Sequence, residues 1–160
     1  MKLIFLDVDG VLNYGGCKAR STTGCLGVEE EKLQLLKRIV DETGAEVVLT
    51  STWKMSWSRQ DRIEDIEYED GRYLEEKMRN FGIRLLDKTT DPSWEERGRG
   101  ILNFIDQLCI PVETFIIIDD ESFDFKSVGI YDKFVKTSFV DGLLPEHVER
   151  AVSILNDCKF

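Results

Sequence analysis

Histidine and paired cysteine are the scarcest chemistry in this chain of 160 residues. His147 is the sole histidine, and Cys17, Cys25, Cys109 and Cys158 are scattered without a C-x-x-C pair. A tetrahedral zinc site needs several such ligands at close spacing, so zinc is not expected. Cys17 and Cys25 have no neighbouring histidine to act as base, which argues against a cysteine nucleophile; reduced, incidental thiols are expected instead. No long apolar run, repeat or low-complexity tract occurs. The apolar start Met1–Leu6 is interrupted by Asp7 and Asp9 far too early for a secretory leader. The expected compartment is the cytoplasm, without a membrane-spanning segment. Positive charge is also in short supply, with 21 basic against 31 acidic residues, a net charge of −10. Such a field discourages broad contact with nucleic-acid backbones or anionic membranes. It favours recruitment of a divalent cation and leaves room for one local basic pocket. The length suits a single domain, residues 1–160, with a substantial core.

Apolar runs alternate with helical periodicity almost throughout, the pattern of an α/β domain with a mainly parallel sheet of five strands. Strands are expected at residues 2–6, 45–50, 83–86, 114–118 and 133–136. Helices are expected at 28–42, ending at Gly44, at 72–80, closed by Gly82, at 97–108, and at 145–155, where Pro145 suits a first turn. Two stretches fall outside this pattern: the Gly- and Thr-containing loop 14–27 and the charged segment 55–71. Each follows a strand that ends in polar residues, so both are expected to border a site at the carboxyl ends of the strands.

Three apolar runs end in chemistry. Leu3–Leu6 leads into Asp7 and Asp9, Val47–Leu49 into Thr50-Ser51-Thr52, and Phe115–Ile118 into Asp119-Asp120-Glu121. Parallel strands would gather these endings along one sheet edge. Gly10 permits the tight departure after the first pair of acids. Carboxylates are rarely placed at the end of a buried strand without a role. Grouped acids cannot approach a phosphate unaided, and a hard cation such as Mg²⁺ held by carboxylates resolves the repulsion. One carboxylate can then serve as nucleophile, while a hydroxyl and a cationic side chain complete the phosphate cradle. The pattern reads as a phosphoryl-transfer site.

These segments resemble the haloacid dehalogenase-like (HAD) superfamily of phosphatases over nearly the whole chain. Asp7-Val8-Asp9-Gly10-Val11 is similar to its first motif, Val47-Val48-Leu49-Thr50-Ser51 to the second, and Ile117-Ile118-Asp119-Asp120 to the fourth. The resemblance implies a three-layer Rossmann-like fold with the first strand central and the Asp119 strand beside it. It further implies an aspartyl-phosphate mechanism in which Asp7 attacks phosphorus and ligates Mg²⁺. Asp9 would protonate the leaving group, activate water and offer its backbone carbonyl to the metal. Asp120 would be a direct ligand, and Asp119 would hold the metal or its waters. Thr50 would bind a phosphate oxygen, with Ser51 a second donor or the alternative. For the third motif, Arg97-Gly98-Arg99-Gly100 offers two cations; Arg97 is favoured at the helix start and Arg99 stays open. Thr50–Lys54, Arg97-Gly98 and the ending Val135-Lys136-Thr137…Asp141-Gly142-Leu143 are similar to a group of small HAD proteins, some associated with RNA repair.

The resulting expectation is a phosphoric monoester hydrolase with a minimal cap or none. Its partner would be a phosphorylated substrate, a small metabolite in preference to a nucleic-acid end. Rival readings are a receiver-like or degenerate HAD module that only binds phosphate or partners, and a phosphomutase. A receiver would carry its acceptor Asp after the middle strand, where this chain has Thr50-Ser51. A mutase normally needs a substantial cap. Trp53 and Trp57 are read as loop packing or as a stacking surface, Asn13 and Lys54 as contacts near the site, and His147 as a surface residue.

Overall fold

A computed structural model describes residues 1–59 and 66–157. Five strands, β1 (Lys2–Leu6), β2 (Glu46–Leu49), β3 (Leu85–Lys88), β4 (Thr114–Asp119) and β5 (Phe134–Lys136), form one parallel sheet in the order β3-β2-β1-β4-β5. Four helices, α1 (Glu30–Thr43), α2 (Glu69–Asn80), α3 (Arg97–Gln107) and α4 (Pro145–Asn156), cover its two faces. β1 is central and paired on both sides, so its run of apolar residues is buried whichever way each side chain points.

Alternation along the strands sorts the core into two layers. Ile4, Leu6, Val47, Leu49, Ile116 and Ile118 face the helices that contribute Leu33, Leu36, Leu74, Met78, Val148 and Leu155. Leu3, Phe5, Val48 and Ile117 face Ile101 of α3, with Phe125 and Phe134. The expected three-layer α/β arrangement is therefore present. None of the helices among the described residues is long and apolar enough to cross a membrane.

Element boundaries shift where local capping intervenes. α1 ends where expected, at Gly44, whose φ of +68° and N–H to Val40 O (2.8 Å) make a left-handed stop. β3 begins two residues later than expected. Gly82 (φ +70°) turns the chain out of α2, and Ile83 donates its N–H back to Met78 O at 2.9 Å while burying its side chain. Ile83 thus belongs to the helix cap rather than to the strand.

α2 begins at Glu69, ahead of the expected Arg72, with Glu69 and Asp70 at the positive end of its dipole. At Gly71 only hydrogen fits, because a Cβ there would collide with Ser56 O of the short 3-10 turn Thr52–Ser56. Within the expected charged loop 55–71, residues 55–56 belong to that turn and 66–71 to a second 3-10 turn and the start of α2, while 60–65 lie outside the described residues, as does Cys158. Between β1 and α1 the chain makes one isolated antiparallel bridge, Arg20 with Leu26.

Candidate active site

The sheet register brings the three polar strand endings together. Leu6 is in register with Leu49 on one side and with Ile118 on the other. The ladder continues one step further, through Asp7 N to Ile118 O and Thr50 N to Leu6 O, both 2.9 Å. Asp7, Thr50 and Asp119 are thereby fixed side by side at the carboxyl edge, and all three are buried. Gly10, at φ +78°, lets the loop pass tightly under β4, because a Cβ on it would lie 2.5 Å from Asp120 Oδ2.

Asp7, Asp119 and Asp120 each turn a carboxylate oxygen into one group in which these atoms lie within 4.8 Å of one another. Arg97, at the first turn of α3, faces the group. Its Nη1 lies 2.5 Å from Asp119 Oδ2 and 3.5 Å from Asp7 Oδ1. Burial, reinforced by the Asp119 charge, pushes the Asp7 carboxyl well above its ordinary range, against the pull of Arg97 and a hydrogen bond from Ser51. Burial likewise raises Asp119 to about 6, opposed by Arg97 and the Glu121 N–H. Burial works against the Arg97 charge, but Asp119 and Asp7 outweigh it and hold its pKa above the usual value. One guanidinium facing three carboxylates leaves excess negative charge, and the donor set is entirely hard oxygen. Those residues fit a cation of the Mg²⁺ type.

Two buried polar atoms at this edge have no hydrogen-bond partner, Thr50 Oγ1 and Arg97 Nε. A buried donor without a partner is costly, and an anion with several acceptor oxygens would satisfy both. Ser51 is already engaged, bonding Asp7 and accepting the Trp53 N–H at 3.2 Å. Thr50 is thus the hydroxyl left free for a ligand. The two candidate arginines also separate. Arg97 is buried in the group, whereas the Arg99 side chain is exposed and not brought to it; its backbone N–H donates to Asp124 Oδ2 at 3.1 Å. Gly98 N–H donates to the other oxygen of Asp124 at 2.6 Å, so Asp124 caps α3.

The Asp9 carboxylate lies apart from the group of three. Asn13 Nδ2 donates to its Oδ1 at 2.8 Å, and Trp53 Nε1 to its Oδ2 at 3.3 Å. Fully buried Asn13 also accepts the Gly10 N–H (3.0 Å) and donates to Gly27 O (3.0 Å), so one amide locks the whole acid loop. Trp53 is mostly buried and Trp57 lies in the core. Lys54 is committed to Asp91, with Nζ 2.5 Å from Oδ2.

Three contacts had no signal in the sequence pattern. Thr137 Oγ1 donates to Gly10 O at 2.6 Å, tying β5 to the acid loop. The Phe123 ring lies 4.1 Å from the Arg97 guanidinium carbon. Phe123 itself holds φ at +38°, among the described residues the one non-glycine with positive φ. His147 is half-buried and takes up a capping role, its Nδ1 accepting the Leu144 N–H at 2.9 Å.

Comparison with known proteins bears on the family and the fold. No curated protein matches the chain. A solved structure from Legionella pneumophila, assigned to the HAD superfamily (subfamily III A) of hydrolases, shares the fold with a TM-score of 0.51 at 15% sequence identity, covering 99% of this chain and 85% of that one. A family model described as the HAD domain in Swiss Army Knife RNA repair proteins matches residues 3–148. That match spans all five strands and the whole carboxylate edge, and the chain belongs to this HAD family.

Proposed function

We propose that the protein is a Mg²⁺-dependent phosphomonoesterase, cytoplasmic in setting, that works through an aspartyl-phosphate on Asp7. The observation that carries this reading is the meeting of three carboxylates, one buried guanidinium and one unpartnered hydroxyl at a single sheet edge. Bound Mg²⁺ would be held by Asp7, Asp119 and Asp120, together with the Asp9 backbone carbonyl, and would neutralise phosphate charge and offset the repulsion among the acids. Thr50 Oγ1 and Arg97 orient the phosphate oxygens. Asp7 attacks phosphorus as the ester bond breaks, and Asp9 delivers a proton to the departing oxygen. Asp9 then takes a proton from water as that water opens the acyl phosphate, returning Asp7 to its carboxylate form. Asn13 and Trp53, which both donate to the Asp9 carboxylate, would fix its orientation for both steps. The net charge of −10 favours a small phosphorylated molecule over a nucleic-acid end as substrate.

Turnover of p-nitrophenyl phosphate in Mg²⁺ tests the reading. Activity should appear with Mg²⁺ and vanish on adding EDTA or in Asp7→Asn. Hydrolysis that persists in Asp7→Asn would remove Asp7 as nucleophile.

A further inference from the structure

Two clefts are bordered by residues of the site, one by Asp120 and the other by Asp9. One, of about 610 Å³, lies on the Asp120 side and is bordered by Glu121, Asp124 and Lys136 among others. The second, of about 410 Å³, is bordered by Asp9, Leu26, Thr52, Trp53, Asp70 and Phe139. Displacement at phosphorus places the leaving oxygen opposite the attacking carboxylate and within reach of the group that protonates it. Asp9 is that group, so the second cleft is where the alcohol portion of the ester rests. This step depends on the phosphomonoesterase reading above.

The chemistry of that cleft is one-sided. Leu26, Trp53 and Phe139 supply apolar wall, and apart from the proton donor Asp9 the charged side chain on its border is the Asp70 carboxylate, without a lysine or arginine among its described lining residues. The wall is held in place. Trp53 is anchored through its Nε1 to Asp9 and lies 6.4 Å, centroid to centroid, from the Tyr73 ring. Asp70 is pinned by Thr23, whose Oγ1 and N–H donate to it at 2.5 and 3.1 Å. Burial tends to raise the Asp70 carboxyl, but these bonds and one from Ser21 hold it below its usual range, so it stays charged at neutral pH. An additional anion on the alcohol would meet the fixed negative charge of Asp70 with no bordering cation to answer it.

We propose that the natural substrate is a phosphate monoester of an apolar or aromatic alcohol that is neutral or cationic, the transferable phosphate being its only anionic group. A phosphorylated oligonucleotide, which carries a further phosphodiester charge for each added nucleotide, is disfavoured on the same grounds.

Three aryl phosphates with para substituents ethyl, 2-aminoethyl and carboxymethyl test this, since their leaving groups are alike in acidity and differ in charge. The expected kcat/KM for the carboxymethyl ester is about tenfold below that of the ethyl ester, and the aminoethyl ester is at least as good as the ethyl. Asp70→Asn should narrow the gap and Asp70→Lys should reverse it, each variant being checked for folding by its thermal melt. A carboxymethyl ester turned over as well as the ethyl one, a ratio unmoved by either Asp70 variant, or a 5′-phosphorylated tetranucleotide preferred to all three would overturn the proposal while leaving the phosphomonoesterase reading intact. Absence of Mg²⁺-dependent turnover with every ester would remove that reading and this proposal with it.

Discussion

Arg97 and Asp119 form a buried ion pair, Nη1 to Oδ2 at 2.5 Å, with side-chain exposures of 6% and 0%. The pair joins the first turn of α3 to the end of β4 and sets the cation against Asp7. Removing one partner of such a pair strands the other charge, at a cost of about 3–5 kcal/mol. Arg97→Ala should therefore destabilise the protein by about that amount in urea unfolding, and lower kcat by about 10²–10³-fold where it remains folded. Arg97→Lys keeps the charge but loses the planar fork, and should fall between wild type and Arg97→Ala in both measurements.

Asn13 holds three groups with one amide: the Gly10 N–H, the Gly27 carbonyl and the Asp9 carboxylate. Asn13→Ala leaves the first two buried without partners, at about 1–3 kcal/mol each. The prediction is a lowered unfolding midpoint, together with a fall in kcat larger than any change in KM, because Asp9 is released from its position beside the leaving oxygen. An Asn13→Ala protein with wild-type kcat would show that Asp9 needs no such support.

Phe123 pairs a strained backbone with a functional contact. A bulky residue at φ +38° is disfavoured, and its ring rests over Arg97 and against Trp94, 6.3 Å away. Phe123→Ala removes the ring and keeps the strain, whereas Phe123→Gly removes both. The glycine variant should be the more stable of the two by about 1 kcal/mol in urea unfolding, reversing the usual ranking. Both should bind inorganic phosphate more weakly than wild type if the ring steadies Arg97.

His147 predicts a pH dependence remote from the carboxylates. Burial lowers its pKa below the usual 6.5, with Lys32 acting in the same direction and Glu146 opposing. The folded state thus prefers the neutral ring, whose Nδ1 accepts the Leu144 N–H at the start of α4. That stability is present above the unfolded-state pKa and is lost as pH falls through the folded-state value, because the unfolded chain then binds the proton more readily. Melting temperature should fall more steeply below about pH 6.5 in wild type than in His147→Gln, whose amide can cap without titrating.

The parallel sheet and the gathering of Asp7, Thr50 and Asp119 were legible because each strand is a short apolar run that stops at a polar residue. Register then follows from the ladder itself. The choice between Arg97 and Arg99 was not legible in an Arg-Gly-Arg-Gly run. Two residues on a helix differ in direction by about 200°, and only the packing of α3 against Phe125 and Asp124 decides which one turns inward. The offset of β3 was hidden for a similar reason, since Ile83 is as apolar as a strand residue yet serves the end of α2. Asn13 carried the right chemistry, but its triple role depends on a loop return at Gly27 that no periodicity encodes. Phe123 had no cue, because nothing in composition announces a phenylalanine at positive φ.

The central claim is that phosphorus becomes bonded to Asp7 during turnover. Rapid acid quench of the enzyme turning over a ³²P-labelled monoester in Mg²⁺, followed by tryptic mapping, tests it directly. The account predicts a hydroxylamine-labile label on the peptide containing residues 3–18, absent in Asp7→Asn and absent when Mg²⁺ is chelated. Steady turnover with no trapped label, or a label on a peptide that lacks Asp7, would contradict it.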